Sequence, residues 1–417
     1  MMRTLYSTAI GLYSTAVHCV APIMPKAAQM VAGWRTWKET LGDGWNKDCK
    51  VAWFHVSSLG EFEQARPVLE LFRSQHAEYR ICLTFFSPSG YEIRKNYPLA
   101  DKIIYLPPDT RRNARQLVEL MHPDMAFFVK YDFWFNYLHQ LSRHSIPTYI
   151  FSSIFRPRQY FFKWYGRWFA NHLKTFAHLF VQNEQSIELL HGIGITQCSL
   201  AGDTRFDRVD EIARQAKPIA QVERFIEHSH NAPIIVAGST WEPDEKILEY
   251  LLHTNQHCKI ILAPHQIHEG HLKQIETIMN QHGCTRFSRL AEADEAALSR
   301  NRVVVIDNIG MLSSLYRYAT VAYIGGGFGQ GIHNTLEAAI YGCPVCFGPN
   351  YGKFQEAKDL IACGAAKTFS SQKQIKQIIT LWLEDKTTLQ KASQASHSYM
   401  QGNMGATQKI MQTITVP

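Results

Sequence analysis

From residue 51 onward the chain alternates short apolar runs with stretches whose apolar positions recur every three or four residues. Strands are predicted at 51–56, 80–86, 102–106, 125–130, 147–152, 178–182 and 198–202. Helical stretches such as EFEQARPVLELFRSQ and NEQSIELLHGIG lie between them. Continuous apolar strands alternating with amphipathic helices mark a parallel sheet covered on both faces. Beyond residues 205–215 the pattern restarts, with strands predicted at 234–237, 259–263, 302–306, 321–324, 344–347 and 366–369. The expectation is an α/β chain of two facing Rossmann-like domains, the first over 36–207 and the second over 208–417.

Residues 1–35 follow a different pattern. Between Arg3 and Lys26 there is no Asp, Glu, Lys or Arg, and apolar residues fall in pairs at Leu5/Tyr6, Ala9/Ile10, Leu12/Tyr13, Ala16/Val17 and Ile23/Met24. That spacing predicts a helix, with Ser7, Thr8, Gly11, Ser14, Thr15 and His18 on its other face. A spanning helix needs about 20 predominantly apolar residues, and the hydroxyls here are too many. A signal peptide is the weaker reading, since the apolar run is interrupted and no clean small-residue cleavage site follows. Two readings remain open. The helix lies in a membrane interface, with Arg3, Lys26 and Arg35 beside lipid phosphates, or it packs on the protein itself.

Length and composition narrow the class. A chain of 417 residues suggests roughly two or three domains. With 46% hydrophobic and 19% charged residues it is globular. The 43 Lys and Arg against 36 Asp and Glu give +7, which suits an anionic substrate or a membrane surface. No basic run of the kind that tracks nucleic acid is present. Nine scattered cysteines fit a reducing compartment. Cys343 and Cys346 have CxxC spacing but no second pair for zinc, and they fall in what reads as a buried strand, so they are expected to be small core residues. The 19 histidines form no clear metal-ligand cluster.

Ligands of parallel sheets bind beyond the carboxyl ends of strands, so the strand-end loops are where chemistry is sought. In HVSSLGEFEQ, Ser58 and Gly60 precede Glu61, which either complements a helix N-terminus or takes a proton from something bound. VKYDFWFN places Lys130 and Asp132 after another strand. In VAGSTWEPDE, Ser239 and Thr240 either cap the helix expected from Trp241 or sit at a phosphate site. YIGGGFGQGIHNTLEAAIYG offers Gly326, Gly327, His333, Asn334 and Glu337. Its glycines allow close backbone approach to a ligand. They do not make a dinucleotide fingerprint, because the third glycine counted from Gly327 would fall at Ile332, which disfavours an NAD oxidoreductase. Asn334 and Glu337 are spaced as a capping box, and a first-turn carboxylate there also suits ribose hydroxyls. The turn in IDNIGMLSSLY, at Gly310 and Met311, offers backbone groups to a base edge.

HVSSLGEFEQARPVL, TFFSPSGYE, YLPPDT, AGDTRFD, VAGSTWEPDE, LAPHQIHEGH, IDNIGMLSSLYRYATVAYIGGGF and GIHNTLEAAIYGCPVCFGPNYGKFQEA occur in one order over roughly residues 50–360. As an ordered set they resemble the transferase family that moves 3-deoxy-D-manno-octulosonic acid (Kdo) from CMP-Kdo onto lipid A precursor (lipid IVA) in lipopolysaccharide biosynthesis of Gram-negative bacteria. The resemblance implies a GT-B fold with an N-terminal membrane-associated helix. It also implies attachment to the cytoplasmic face of the inner membrane, inversion at the anomeric carbon, and neither metal nor other cofactor. Carried over by motif, it makes Glu61 the general base and assigns Ser239, Thr240, Gly326, Gly327, His333, Asn334 and Glu337 to the donor.

Three motifs depart from the family's pattern. Where Glu-x-Glu-Leu-Trp is common, this chain has Lys130, Tyr131, Asp132, Phe133 and Trp134, so a second glutamate at 130 is absent. Pro-Arg-His is replaced by Pro264, His265 and Gln266, leaving His265 or His268 to stand in for an arginine. Asn-x-Lys-Phe-Asp reads as Asp203, Thr204, Arg205, Phe206 and Asp207, which keeps a cation at Arg205 for the donor phosphate. Lys130, Arg156 and Arg158 are the candidates for acceptor phosphates, with Ser58, Gly60 and Asp132 beside them. Two rival readings are a sugar-nucleotide 2-epimerase of the same double architecture and a non-catalytic nucleotide- or glycolipid-binding protein.

Overall fold

The computed structural model describes residues 2–42, Trp45 and 49–417. The chain forms two units, Met1–Arg208 together with Asn403–Pro417, and Val209–Gly402.

The first unit is built on β1 (Lys50–Val56), β2 (Tyr79–Phe85), β3 (Lys102–Tyr105), β4 (Met125–Val129), β5 (Thr148–Ser153), β6 (His178–Val181) and β7 (Cys198–Leu200). They form one parallel sheet in the order β3-β2-β1-β4-β5-β6-β7. Each strand predicted in this half has its counterpart. Successive side chains point to opposite faces, so Trp53 and Phe128 enter one buried cluster while Phe54 and Phe127 enter the other. That double burial is why these strands read as unbroken apolar runs.

The second unit carries β8 (Ile234–Thr240), β9 (Lys259–Pro264), β10 (Cys284–Arg286), β11 (Val303–Val305), β12 (Val321–Ile324), β13 (Val345–Phe347) and β14 (Ala366–Thr368). They too form a single sheet, parallel throughout, in the order β10-β11-β9-β8-β12-β13-β14. β10 was not predicted. It is a three-residue edge strand with only Arg286 buried, so it has no apolar run to show. Cys343 and Cys346 are buried around β13, as small core residues should be.

Two boundaries differ from expectation. Asn403–Pro417 belongs with the first unit, not the second. Ile410, Met411 and Ile414 join its core, and Asp207 accepts bonds from the Gly405 and Thr407 N–H groups at 2.6 and 2.7 Å, capping the helix Ala406–Thr413. The N-terminal segment is two helices, Met2–Val20 and Pro25–Leu41, rather than one. Pro25 stands at the start of the second, where its missing N–H costs nothing. Ala27, Met30, Val31, Trp34, Trp37 and Leu41 bury that helix. The first helix buries no residue fully. Among the described residues no helix is long and apolar enough to cross a membrane.

Both sheets have a point where strand order reverses, between β1 and β4 and between β8 and β12. Crevices beyond the carboxyl ends of strands at such points are the ligand sites of open α/β sheets. The loops at these four strand ends are the ones carrying most of the candidate residues.

Candidate active site

In the first unit, β1 ends at Val56 and the helix Leu59–Gln75 begins after the two intervening residues Ser57 and Ser58. Ser58 is its N-cap, its hydroxyl accepting the Glu61 N–H at 3.4 Å. Glu61 reaches back past the cap, and its Oε2 accepts the Ser57 N–H at 2.7 Å. The carboxylate therefore does complement the helix start, yet it is only half-buried and not sealed beneath its neighbours. Gly60 is exposed, and a Cβ there would come no nearer to the protein than 4.0 Å from the Ser58 hydroxyl. The glycine answers no internal crowding and leaves room above the helix terminus.

β4 brings Lys130 and Asp132 to the same place. Lys130 has φ 60, a left-handed conformation rare for a side-chain-bearing residue and a mark of functional loops. Its charge attracts that of Glu61. Asp132 accepts the Ser57 hydroxyl at 2.6 Å and is buried. Its Oδ2 has no donor facing it, and its carboxyl is hydrogen-bonded to that of Glu61. A proton on Asp132 resolves both facts, because a protonated acid can donate to its carboxylate neighbour. Burial first, and then the Glu61 charge, push the Asp132 carboxyl well above the ordinary range. Burial also raises Glu61, against the Ser57 N–H and Lys130, which favour its ionised form. Two carboxyls so placed disfavour each other's ionisation, the more buried Asp132 the more strongly, an arrangement that sets an acid apart from a base.

Beneath this pair lies a group that sequence reasoning missed. His55 is fully buried, and burial pushes its imidazole down to about 3, so it is neutral. Trp134 Nε1–H donates to His55 Nε2 at 2.9 Å, which puts the ring proton on Nδ1, facing the Thr84 hydroxyl at 2.8 Å. His55 Nε2 lies 3.6 Å from Asp132 but makes no ion pair with it. A histidine at the end of an apolar strand was the available signal. Arg156 and Arg158 are exposed on the loop after β5, with Arg156 in electrostatic reach of Tyr131. Arg205 lies in the first unit, where Asp203 accepts its guanidinium at 2.9 Å.

In the second unit, β8 continues through Ser239 and Thr240, and neither caps the following helix. Trp241 occupies the cap position, and Asp244 accepts its N–H at 3.0 Å. Thr240 is buried, donating to Glu245 at 3.2 Å, so its hydroxyl is spent inside the unit and is not on offer to a ligand. Ser239 remains partly open, in the left-handed region at φ 55. The glycine loop after β12 packs on this turn. A Cβ on Gly325 would meet the Ser239 carbonyl at 2.3 Å, and one on Gly327 the Gly348 backbone at 2.6 Å. Asp244, a second residue not anticipated, fastens the loop by accepting the Gly326 N–H at 2.9 Å and the Tyr323 hydroxyl at 2.7 Å.

His265, at the end of β9, is sandwiched between two rings. Its centroid lies 4.6 Å from Trp241 and 4.5 Å from His333, both stacked. Trp241 Nε1–H donates to His333 Nε2 at 3.4 Å. Burial, then the neighbouring His265, lower His333, which is thus neutral. His268 instead caps the helix Glu269–Met279, so His265 is the one that joins the loop. Asn334 is no N-cap, because the short helix Leu336–Ala339 is preceded by Thr335. Asn334 accepts the Leu336 N–H and donates to Glu337, both at 3.0 Å, forming an Asx turn in place of the expected capping box. Gly310 is exposed at φ 96 after β11, and Met311 precedes the helix Leu312–Leu315.

Residues 35–208 match the family profile described as 3-Deoxy-D-manno-octulosonic-acid transferase (kdotransferase). The chain is similar to the 3-deoxy-D-manno-octulosonic acid transferase of Rickettsia prowazekii, 24% identical over 348 residues covering 81% of this chain and 73% of that protein. It is also similar to the transferase of that name from Aquifex aeolicus, 26% identical over 325 residues covering 76% and 81%. Among solved structures, UDP-GlcNAc 2-epimerase from Neisseria meningitidis aligns with a TM-score of 0.60 at 16% identity, over 87% of this chain and 99% of that one. MurG of Acinetobacter baumannii aligns with a TM-score of 0.56 at 12% identity, over 88% and 99%. These last two likenesses speak to the GT-B fold alone.

Proposed function

We propose that the chain is a member of the 3-deoxy-D-manno-octulosonic-acid transferase family, whose profile its residues 35–208 match, and an inverting glycosyltransferase carrying Kdo from CMP-Kdo to a lipid A precursor. The observation that carries the mechanism is the Glu61–Asp132 pair at the first sheet's switch point. Glu61, ionised, accepts the proton of the acceptor sugar hydroxyl. The freed oxygen attacks the Kdo anomeric carbon as its bond to the CMP phosphate oxygen breaks, and CMP leaves with that electron pair. A positioned carboxylate base contributes about 10²–10⁴-fold. Asp132, protonated, holds Glu61 in place. Lys130 and the exposed Arg156 and Arg158 meet acceptor phosphates.

The donor is read by the second unit. Gly326 and Gly327 let the protein backbone approach the nucleotide closely, Glu337 takes the ribose hydroxyls, and His265 stands where the family carries an arginine. The leaving group is a phosphate monoester with one ester link, whose charge N–H donors of the loop and imidazoles suffice to meet. No resident metal or cofactor enters this reading, so turnover is expected to survive EDTA. The first helix lies on the cytoplasmic face of the inner membrane, with Leu5 and Leu12 turned outward at 57% and 68% exposure.

The test is incubation of the purified protein with CMP-Kdo and tetra-acylated lipid A precursor, followed by mass spectrometry of the glycolipid. Mass increments of Kdo with release of CMP, inhibited by CMP rather than UDP, are expected. Inhibition by UDP with epimerisation of a UDP-sugar would replace this reading with the epimerase one.

A further inference from the structure

The second unit has a cavity of about 310 Å³ at the amino end of its sheet, opposite the strand ends that hold the donor loops. It is lined where β9 and β11 begin, by Lys259, Arg300, Arg302, His230, His257 and Ser229 among others, with no carboxylate in its wall. Lys259 is 4% exposed. Its ammonium donates to the carbonyls of His228 at 3.3 Å and Leu298 at 2.8 Å and lies 4.4 Å from the Phe225 ring centroid. Arg302 donates to the carbonyls of Leu252, Asn255 and Cys258.

Of these carbonyls all but that of Cys258, which precedes β9, lie at the ends of the helices Ala220–Glu227, Glu242–Thr254 and Glu295–Arg300, and capping helix ends is the ordinary use of such cations. The charges do not balance on that use. Each helix C-terminus is worth roughly half a negative charge, so three supply about 1.5 against the three full charges of Lys259, Arg300 and Arg302. The surplus is roughly +1.5. Burial and the Arg302 charge lower Lys259 to about 8, as expected for a cation lacking an anionic partner. At the rim, His230 and the adjacent Asn231 are both left-handed, at φ 54 and 62, a strain that structures keep at binding sites.

We propose that this cavity binds a small soluble phosphomonoester, its phosphate seated between Lys259, Arg300 and Arg302. A phosphomonoester carries roughly −1.5 to −2 at neutral pH, which matches the surplus. The volume is at the small end of ligand pockets, about 300–1,000 Å³, and suits a phosphorylated sugar-sized molecule. The site is independent of the transferase reading.

The test is calorimetric titration of the full chain with inorganic phosphate, in the wild type and in Arg300→Gln, Lys259→Met and Lys409→Gln. Saturable binding is expected, weakened about tenfold or more in Arg300→Gln and Lys259→Met, as loss of a charge-assisted bond implies. Lys409→Gln, which removes an exposed cation of the first unit, is expected to leave it unchanged. Arg300 is exposed, so its variant decides the matter should Lys259→Met fail to fold. Absence of saturable binding, unchanged affinity in Arg300→Gln, or an equal loss in Lys409→Gln overturns the proposal.

Discussion

Glu61 and Asp132 show how a side chain's chemistry follows from its neighbours. A first-turn glutamate is ordinary, but one whose carboxyl meets a second, buried carboxyl is not. Glu61→Gln removes the base and is expected to lower kcat by about 10²–10⁴-fold while leaving CMP affinity intact. Asp132→Asn keeps a donor toward Glu61, since an amide N–H replaces the acid O–H, and is expected to cost at most about tenfold in kcat. A larger loss there than in Glu61→Gln would exchange the two roles.

The pH dependence has a definite sign. Glu61 is raised, so its basic form is lost as pH falls through a value above 4.5, and the acid limb of the kcat profile is expected above that of a free glutamate. Asp132 is also raised, so the folded chain binds a proton that the unfolded chain releases, and stability falls as pH climbs from about 4 to the folded value. In Asp132→Asn that slope should flatten in denaturant melts taken across pH. Glu61 was legible from the sequence because a carboxylate at a strand end stands out locally. The buried His55, bonded by Trp134 and Thr84, was not, because nothing local distinguishes a satisfied core histidine.

At the scale of elements, the first helix packs on the protein, one of the two readings that its spacing left open, while its membrane role stands as a proposal. One face is tied to the protein. The Tyr6 hydroxyl donates to Asp109 at 2.7 Å, Arg3 donates to Asn136 at 2.9 Å, and the Tyr6 ring lies edge-on to Phe135 at 5.1 Å. The other face leaves Leu5 and Leu12 exposed, as a membrane-facing helix would. Tyr6→Phe removes a bond to a buried carboxyl, worth roughly 1.5–3 kcal/mol. Faster hydrogen exchange is therefore expected over residues 2–20 with the strands unaffected. Leu5→Asp with Leu12→Asp should leave exchange unchanged and reduce co-sedimentation with anionic liposomes. Equal sedimentation would remove the membrane role. Periodicity announced the helix but not which face met protein, since that depends on Asp109 and Phe135, over a hundred residues away in sequence. The edge strand β10 escaped for a related reason, being too short and too polar to carry a period.

For the whole molecule, the chain's return is the feature that no local pattern could announce. Residues after Gly402 leave the second unit and complete the first. Asp207 fixes them through the backbone of Gly405 and Thr407 and through the Thr407 hydroxyl at 2.6 Å. Asp207→Ala is expected to cost about 1–2 kcal/mol, the range for a lost helix cap. The loss should appear in the melting of the first unit, although the helix it releases lies some two hundred residues further along. Unchanged melting would mean that Ile410, Met411 and Ile414 hold the tail unaided.

The alternation of apolar strands and amphipathic helices was enough, by itself, to determine two parallel α/β sheets and the strand-end loops that carry the candidate residues. It could do so because the periods of strand and helix are set by backbone geometry within a few residues. Which strands lie side by side was decided only by tertiary structure. That choice puts β4 against β1 and so sets Asp132 on Glu61, and it puts β12 against β8 and so lays the glycine loop on Ser239. It also spent Thr240 on Glu245 and returned the C-terminal tail to the first unit. Such pairings depend on burial and hydrogen bonding between distant segments, and these are properties of the packed chain rather than of any short stretch within it.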